Sequence, residues 1–155
     1  MLSIFKKNKR IRPFGSSALG IVGEDMAAHF LSASGLRLVI ANFKAPIGRN
    51  SRGAVVTGEI DLIALDGDTL CYIEVKTRRS HDFGGPLNAV DLRKQRQITR
   101  AARVYRRVFG LGSIKQRFDV VTIVLEKGRE PDIKHVKGFW TESKFSKRRW
   151  FDDMP

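Results

Sequence analysis

Cysteine is nearly absent from this chain: one residue in 155, Cys71. A lone thiol cannot close an internal disulfide, so the fold must hold by packing. Set in the apolar run Leu70-Cys71-Tyr72-Ile73, Cys71 is expected to behave as a small buried hydrophobe. Long apolar runs are missing too. The longest clean one, Val120-Val121-Thr122-Ile123-Val124-Leu125, falls far short of the ~20 residues of a membrane-spanning helix. The basic residues Lys6, Lys7, Lys9, Arg10 and Arg12 are not followed by the apolar stretch of a secretory signal. A cytoplasmic protein with no membrane partner is expected. His29, His81 and His135 stand far apart without metal-ligand spacing, which argues against a zinc site. Acid is also scarce, with 16 Asp and Glu against 29 Lys and Arg and a formal net charge of +13. That imbalance is the footprint of a protein that meets a polyanion, with nucleic acid as the first partner to consider.

What is present fits one soluble domain, since a length near ~150 residues buries a sufficient core without staples. Residues 1–17 are basic, contain Gly and Ser, lack periodicity, and read as a flexible arm. The domain proper is expected over 18–140 and a basic and aromatic tail over 141–155. From Gly20 to Ser34, Val22, Met26, Phe30 and Ala33 recur at helical spacing and Gly35 stops the helix. Arg37 to Phe43 reads as a strand. The segment from Lys44 to Thr57, with Pro46, Gly48, Arg49, Asn50, Ser51, Arg52 and Gly53, reads as a basic loop that breaks any regular element. Glu59 to Leu65 and Thr69 to Thr77 form a hairpin about Asp66-Gly67-Asp68. After a second loop over Arg78 to Val90, a helix spans Asp91 to Phe109. Strands follow over Arg117 to Leu125 and Asp132 to Trp140. The order α, β, β, β, α, β, β implies an α/β domain with a mixed sheet.

The hairpin carries the chemistry. Side chains alternate along a strand, so Glu59, Asp61 and Ile63 share one face, and Tyr72, Glu74 and Lys76 share a face of the next strand. If Leu65 pairs with Leu70, Asp61 lies opposite Glu74; if the turn is the tighter Asp66-Gly67 form, the two become diagonal neighbours. Either register clusters two carboxylates that repel in an apolar setting unless a cation lies between them. Oxygen-only ligands favour Mg²⁺ or Mn²⁺. Lys76, on the same face, would supply a charge or a proton beside metal-bound water. The plainer alternative is a solvent-facing hairpin in which Lys76 is a cross-strand ion-pair partner.

The segments Gly23-Glu24-Asp25-Met26-Ala27-Ala28, Gly58-Glu59-Ile60-Asp61-Leu62-Ile63, Ile73-Glu74-Val75-Lys76-Thr77-Arg78, Lys94-Gln95-Arg96 and Arg117-Phe118-Asp119-Val120-Val121 occur in this order. Together they resemble the YraN family of small bacterial proteins, grouped by fold with PD-(D/E)XK restriction endonucleases and archaeal Holliday-junction resolvases. The resemblance implies a restriction-endonuclease-like mixed central sheet flanked by helices. It implies Asp61 and Glu74 as metal ligands, joined by the carbonyl of Val75, and Lys76 as the catalytic lysine. Glu24 would be the helix-borne acid that completes the site, although a first-turn acid also serves a helix dipole. The implied activity is metal-dependent endonucleolytic cleavage of DNA, branched DNA in particular, by a protein for which a homodimer would be expected because two strands must be cut. A noncatalytic nucleic-acid-binding module that retains the fold is the alternative.

At 100° per residue, Ile98, Ala101, Ala102, Tyr105, Val108 and Phe109 share one face of the second helix. Arg93, Arg96, Arg100, Arg103 and Arg107 share the opposite face, a stripe suited to phosphate oxygens or simply solvated. Lys94 falls on the inward side and reaches toward the acidic cluster or snorkels past the core. Arg49, Arg52 and Arg78 are further candidate nucleic-acid contacts. Asp119 is expected to be an internal partner for a basic side chain, and Tyr72 to pack.

Overall fold

The computed structural model describes residues 16–82, 88 and 90–146. Apart from Ser16 and Ser17, the basic arm lies outside the described residues, as do residues 147–155 of the tail and residues 83–87 and 89 of the loop before the second helix.

Helix α1 spans Ser16–Ala33, strand β1 Arg37–Arg49, β2 Val55–Asp66, β3 Thr69–Arg78, helix α2 Leu92–Val108, β4 Lys115–Val124 and β5 Asp132–Trp140, followed by a 3-10 turn over Glu142–Phe145. The strands lie side by side in chain order. All neighbours are antiparallel except β3 and β4, which run parallel because α2 intervenes as the crossover. This is the α/β mixed sheet flanked by helices implied by the element order.

α1 covers one face with Ala27, Ala28 and Leu31, packed on Leu62, Cys71, Ile73, Val121 and Ile123. α2 covers the other with Ile98, Ala101, Ala102 and Tyr105, packed on Ile63, Leu70, Tyr72, Phe118 and Trp140. Within this second layer Tyr72 stacks on Phe118 at 5.2 Å between centroids, and Phe118 on Trp140 at 5.0 Å. Tyr72 is therefore core, as expected.

Two expectations are corrected. The loop read over Lys44 to Thr57 is mostly strand: β1 continues to Arg49, β2 begins at Val55, and only residues 50–54 turn. Pro46 and Gly48 misled because they break central strands, whereas β1 is the sheet edge, where a missing N–H is tolerated and register shifts at Leu38/Ile40 and Pro46/Gly48 absorb the irregularity. The apolar face of α1 is also different. Val22 is 49% exposed, while Ala27 and Leu31 are fully buried. α1 approaches the sheet through Gly23, Ala27, Ala28 and Leu31, and Val22 is left exposed on the flank.

Gly23 marks the closest approach: a Cβ there would fall 1.7 Å from Thr77 Oγ1 and 2.9 Å from Thr77 Cβ. Gly23→Ala is expected to lower stability by about 1–3 kcal/mol through overpacking, read as a lower denaturation midpoint. Adding Thr77→Ala should restore part of the loss; a double variant no more stable than Gly23→Ala would place the strain elsewhere.

Candidate active site

The hairpin adopts the first of the two registers, with Leu65 opposite Leu70 and Asp66 opposite Thr69. Gly67 turns at φ 61°, which glycine reaches without steric cost. The β2–β3 ladder ends at Leu62 and Ile73. Beyond that point β2 stays paired only with β1 and projects as a two-stranded arm. At the parting, the backbone N–H of Val75 donates to Asp61 Oδ2 at 2.8 Å. A side-chain carboxylate thus takes the donor that a further rung would have used.

Asp61 is 8% and Glu74 2% exposed. Lys76 Nζ lies 3.0 Å from Glu74 Oε1, and Lys94 Nζ 3.7 Å from Glu74 Oε2. The inward placement expected of Lys94 is what the structure has, fixed by Asp91 capping α2 through the Lys94 N–H at 2.8 Å. Even so, Glu74 Oε2 is buried without a hydrogen-bond donor. Gly58 lets this corner close, because a Cβ there would meet Ile47 Cγ2 at 2.9 Å and Ala101 Cβ at 3.2 Å.

Burial raises both carboxyls. Glu74 is pushed up to about 7 by desolvation and then by the Asp61 charge, against the pull of Lys94 and Lys76. Asp61 is raised by burial, partly offset by the Val75 N–H and Lys94. Glu24, half-buried on α1, is raised by burial and by the charges of Asp61 and Glu59, while the Asn42 side chain holds it the other way. Glu24 is thus coupled to the pair through charge. Among the described residues, however, no three His, Cys, Asp or Glu side chains converge as a metal-holding group.

The donor set fits a hard cation. Two buried carboxylates, one with an orphaned oxygen, offer oxygen alone, and Mg²⁺ characteristically takes one or two protein carboxylates and keeps several waters or phosphate oxygens. Asp61 and Glu74 would hold it.

The remaining candidates lie around this centre. Arg49 and Arg52 sit at the tip of the β1–β2 arm, Arg49 donating to the Gly53 carbonyl at 2.7 Å. Arg78 ends β3. Arg93, Arg96, Arg100 and Arg107 are exposed on α2, whereas Arg103 pairs with Glu142 on the 3-10 turn. Two residues are given no role by the sequence, although Gln95 lies in the Lys94-Gln95-Arg96 motif. Gln95, buried on a basic helix, donates to the Val90 carbonyl at 2.9 Å and accepts from Lys144 Nζ at 3.0 Å. Asn42, at φ 54°, faces Glu24. An isolated Gln or Asn carries no periodic signal, and only its neighbours in space reveal it.

A raised carboxyl gives a testable pH dependence. Because Glu74 holds its proton more tightly folded than unfolded, its contribution is fully present below the ordinary carboxylate range and is lost as pH rises through about 7. In EDTA the protein should therefore be more stable to denaturant at pH 5 than at pH 8, and Glu74→Gln should flatten that slope. The carboxyls lowered by ion pairs, Asp66, Asp119 and Glu142, keep their contribution throughout this window. Equal slopes in the wild type and Glu74→Gln would show that Glu74 is not the group responsible.

Comparison with known proteins places the site within a family. The family model described as Uncharacterised protein family UPF0102 matches residues 23–123. A UPF0102 protein of Rhodococcus jostii (strain RHA1) is 41% identical over 120 residues, covering 77% of this chain and 93% of its own. One from Prosthecochloris aestuarii is 43% identical over 130 residues, covering 80% and 94%. Among solved structures, SSO0001 superposes with a TM-score of 0.40 at 18% identity, over 84% of this chain and 56% of that one. The matched span contains Glu24, Asp61, Glu74, Lys76, Lys94 and Asp119, and the chain belongs to the uncharacterised protein family UPF0102, the YraN family that its five motifs resemble.

Proposed function

We propose that this protein is a nucleic-acid-directed phosphodiesterase dependent on Mg²⁺ or Mn²⁺, with DNA as its substrate. The observation that carries the reading is the buried Glu74 oxygen without a donor, beside Asp61 and between two lysines. A buried carboxylate oxygen without a hydrogen-bond partner calls for an explanation, and a cation held between Glu74 and Asp61 supplies one.

When bound, the metal would neutralise phosphate charge and lower the pKa of a coordinated water. The protein's own groups do the rest. Asp61 is fixed in orientation by the Val75 N–H, so its carboxylate need not reorganise. Lys76, with its side chain 35% exposed, keeps its ammonium at the Glu74 edge of the site, where it can meet a phosphate oxygen or hand a proton to a leaving oxygen. Lys94 approaches from α2 and adds a second positive charge. Glu24 adds negative charge at the α1 edge, favouring retention of a cation. The net charge of +13 draws the polyanion in. Branched DNA is the substrate suggested by the likeness to resolvases, and cutting both strands would require a symmetric dimer.

The test is cleavage of single-stranded, duplex, flapped and four-way-junction DNA with Mg²⁺, Mn²⁺ or EDTA. Wild type should cut only with metal, Asp61→Ala and Glu74→Ala should fall to background, and Lys76→Ala should lose about 10²–10⁴-fold. Independently of turnover, Mn²⁺ should raise the melting temperature of the wild type and not that of Asp61→Ala. Cleavage by Asp61→Ala equal to that of wild type would overturn the assignment.

A further inference from the structure

The outer face of α2 carries a recess that the carboxylates do not use. Arg96, Thr99, Arg100 and Arg103 line it from the helix, Phe145 and Ser146 close it from the terminal 3-10 turn, and it encloses about 340 Å³. The turn is held rigidly. Glu142 accepts hydrogen bonds from Arg103, Arg106 and Gln116, and Lys144 Nζ bonds to Gln95 Oε1 at 3.0 Å. Arg103 is thereby spent on structure. Arg100 is exposed and has no acidic partner among the described residues, and the Arg96 guanidinium lies over the Phe145 ring at 5.5 Å from its centroid. The recess therefore combines two available cations, one turn apart, with an aromatic and guanidinium layer.

That combination distinguishes between kinds of nucleic acid. A duplex shows a protein its phosphates and groove edges, and its base faces are hidden in the stack. An unpaired strand shows both phosphates and base faces, and aromatic rings and guanidinium planes are the surfaces on which such bases stack. We propose that the recess binds an unpaired single-stranded segment of nucleic acid, with successive phosphates at Arg96 and Arg100 and a base against the Phe145–Arg96 layer. This rests on the proposal that the protein binds nucleic acid, but not on metal or cleavage.

The experiment is fluorescence anisotropy of the full chain in EDTA with single-stranded and duplex oligodeoxynucleotides over a range of salt. Arg100→Gln, an exposed change that leaves packing intact, should weaken single-strand binding and reduce the slope of log affinity against log salt by about 0.7. Phe145→Leu should weaken single-strand binding about tenfold, and Phe145→Trp should retain it. Duplex binding should change no more than it does in Lys127→Gln, a charge-matched control on the β4–β5 turn. Unchanged single-strand affinity in Phe145→Leu, or equal losses for both strand types, would overturn the recess alone. Absence of any nucleic-acid binding by the wild type would overturn the broader reading as well.

Discussion

Val75 donates its backbone N–H to a carboxylate where a strand carbonyl would otherwise stand, and the architecture around it follows from that substitution. The bond ends the β2–β3 ladder, frees β2 to continue with β1 as an arm, and fixes Asp61 at the parting beside Glu74. Burying two acids together opposes folding, and the chain surrounds them with compensation: Lys76 on the same strand face and Lys94 on the covering helix. Gly58 and Gly23 allow the two helices to close on this part of the sheet, where a Cβ would meet Ala101 and Thr77 respectively.

A second buried acid on the same sheet shows what full compensation looks like. Asp119 is 0% exposed. It accepts from Arg117 through both oxygens, at 2.8 and 3.0 Å, from the Gly138 N–H at 2.9 Å, and faces His135 Nε2 at 2.8 Å. Its carboxyl is held below the usual range despite burial. Glu74, no more exposed than a core leucine, is pushed the other way by burial and by the Asp61 charge, which Lys94 and Lys76 only partly offset. Depth is common to both; satisfaction separates them. Asp119 fastens β4 to β5, whereas Glu74 keeps one buried oxygen without a hydrogen-bond partner.

Strand parity made the pairing of Asp61 and Glu74 legible in sequence because a period of two leaves only two registers, and both cluster the acids. The inward turn of Lys94 was legible for the same reason, a fixed 100° step. β1 was not. Its Pro46 and Gly48 are compatible with a strand only at a sheet edge, and edge position is a property of the assembled sheet. The buried surface of α1 was hidden similarly: Gly23, Ala27 and Ala28 give a weak hydrophobic signal, yet they decide the helix–sheet distance, and Val22 and Met26 supply the apolar pattern from the flank. Whether an arginine in the α2 stripe is available or committed depends on Glu142, some forty residues away in the chain, which no local pattern encodes.

α2 links the acidic centre and the basic outer face through its own backbone. Lys94, Gln95 and Arg96 are consecutive, so each points about 100° from the last: Lys94 to Glu74, Gln95 into the Val90 carbonyl and Lys144, Arg96 over Phe145. Three neighbouring residues thereby tie the acidic centre, the helix start and the 3-10 turn to one backbone. Under the proposed function, a polyanion on the outer face would be placed relative to Asp61 and Glu74 by a packed helix instead of by a loop, and reacting groups must be held to within a fraction of an ångström. The cap at Asp91 completes that logic, since it fixes where the helix begins and hence the angle at which Lys94 enters the site.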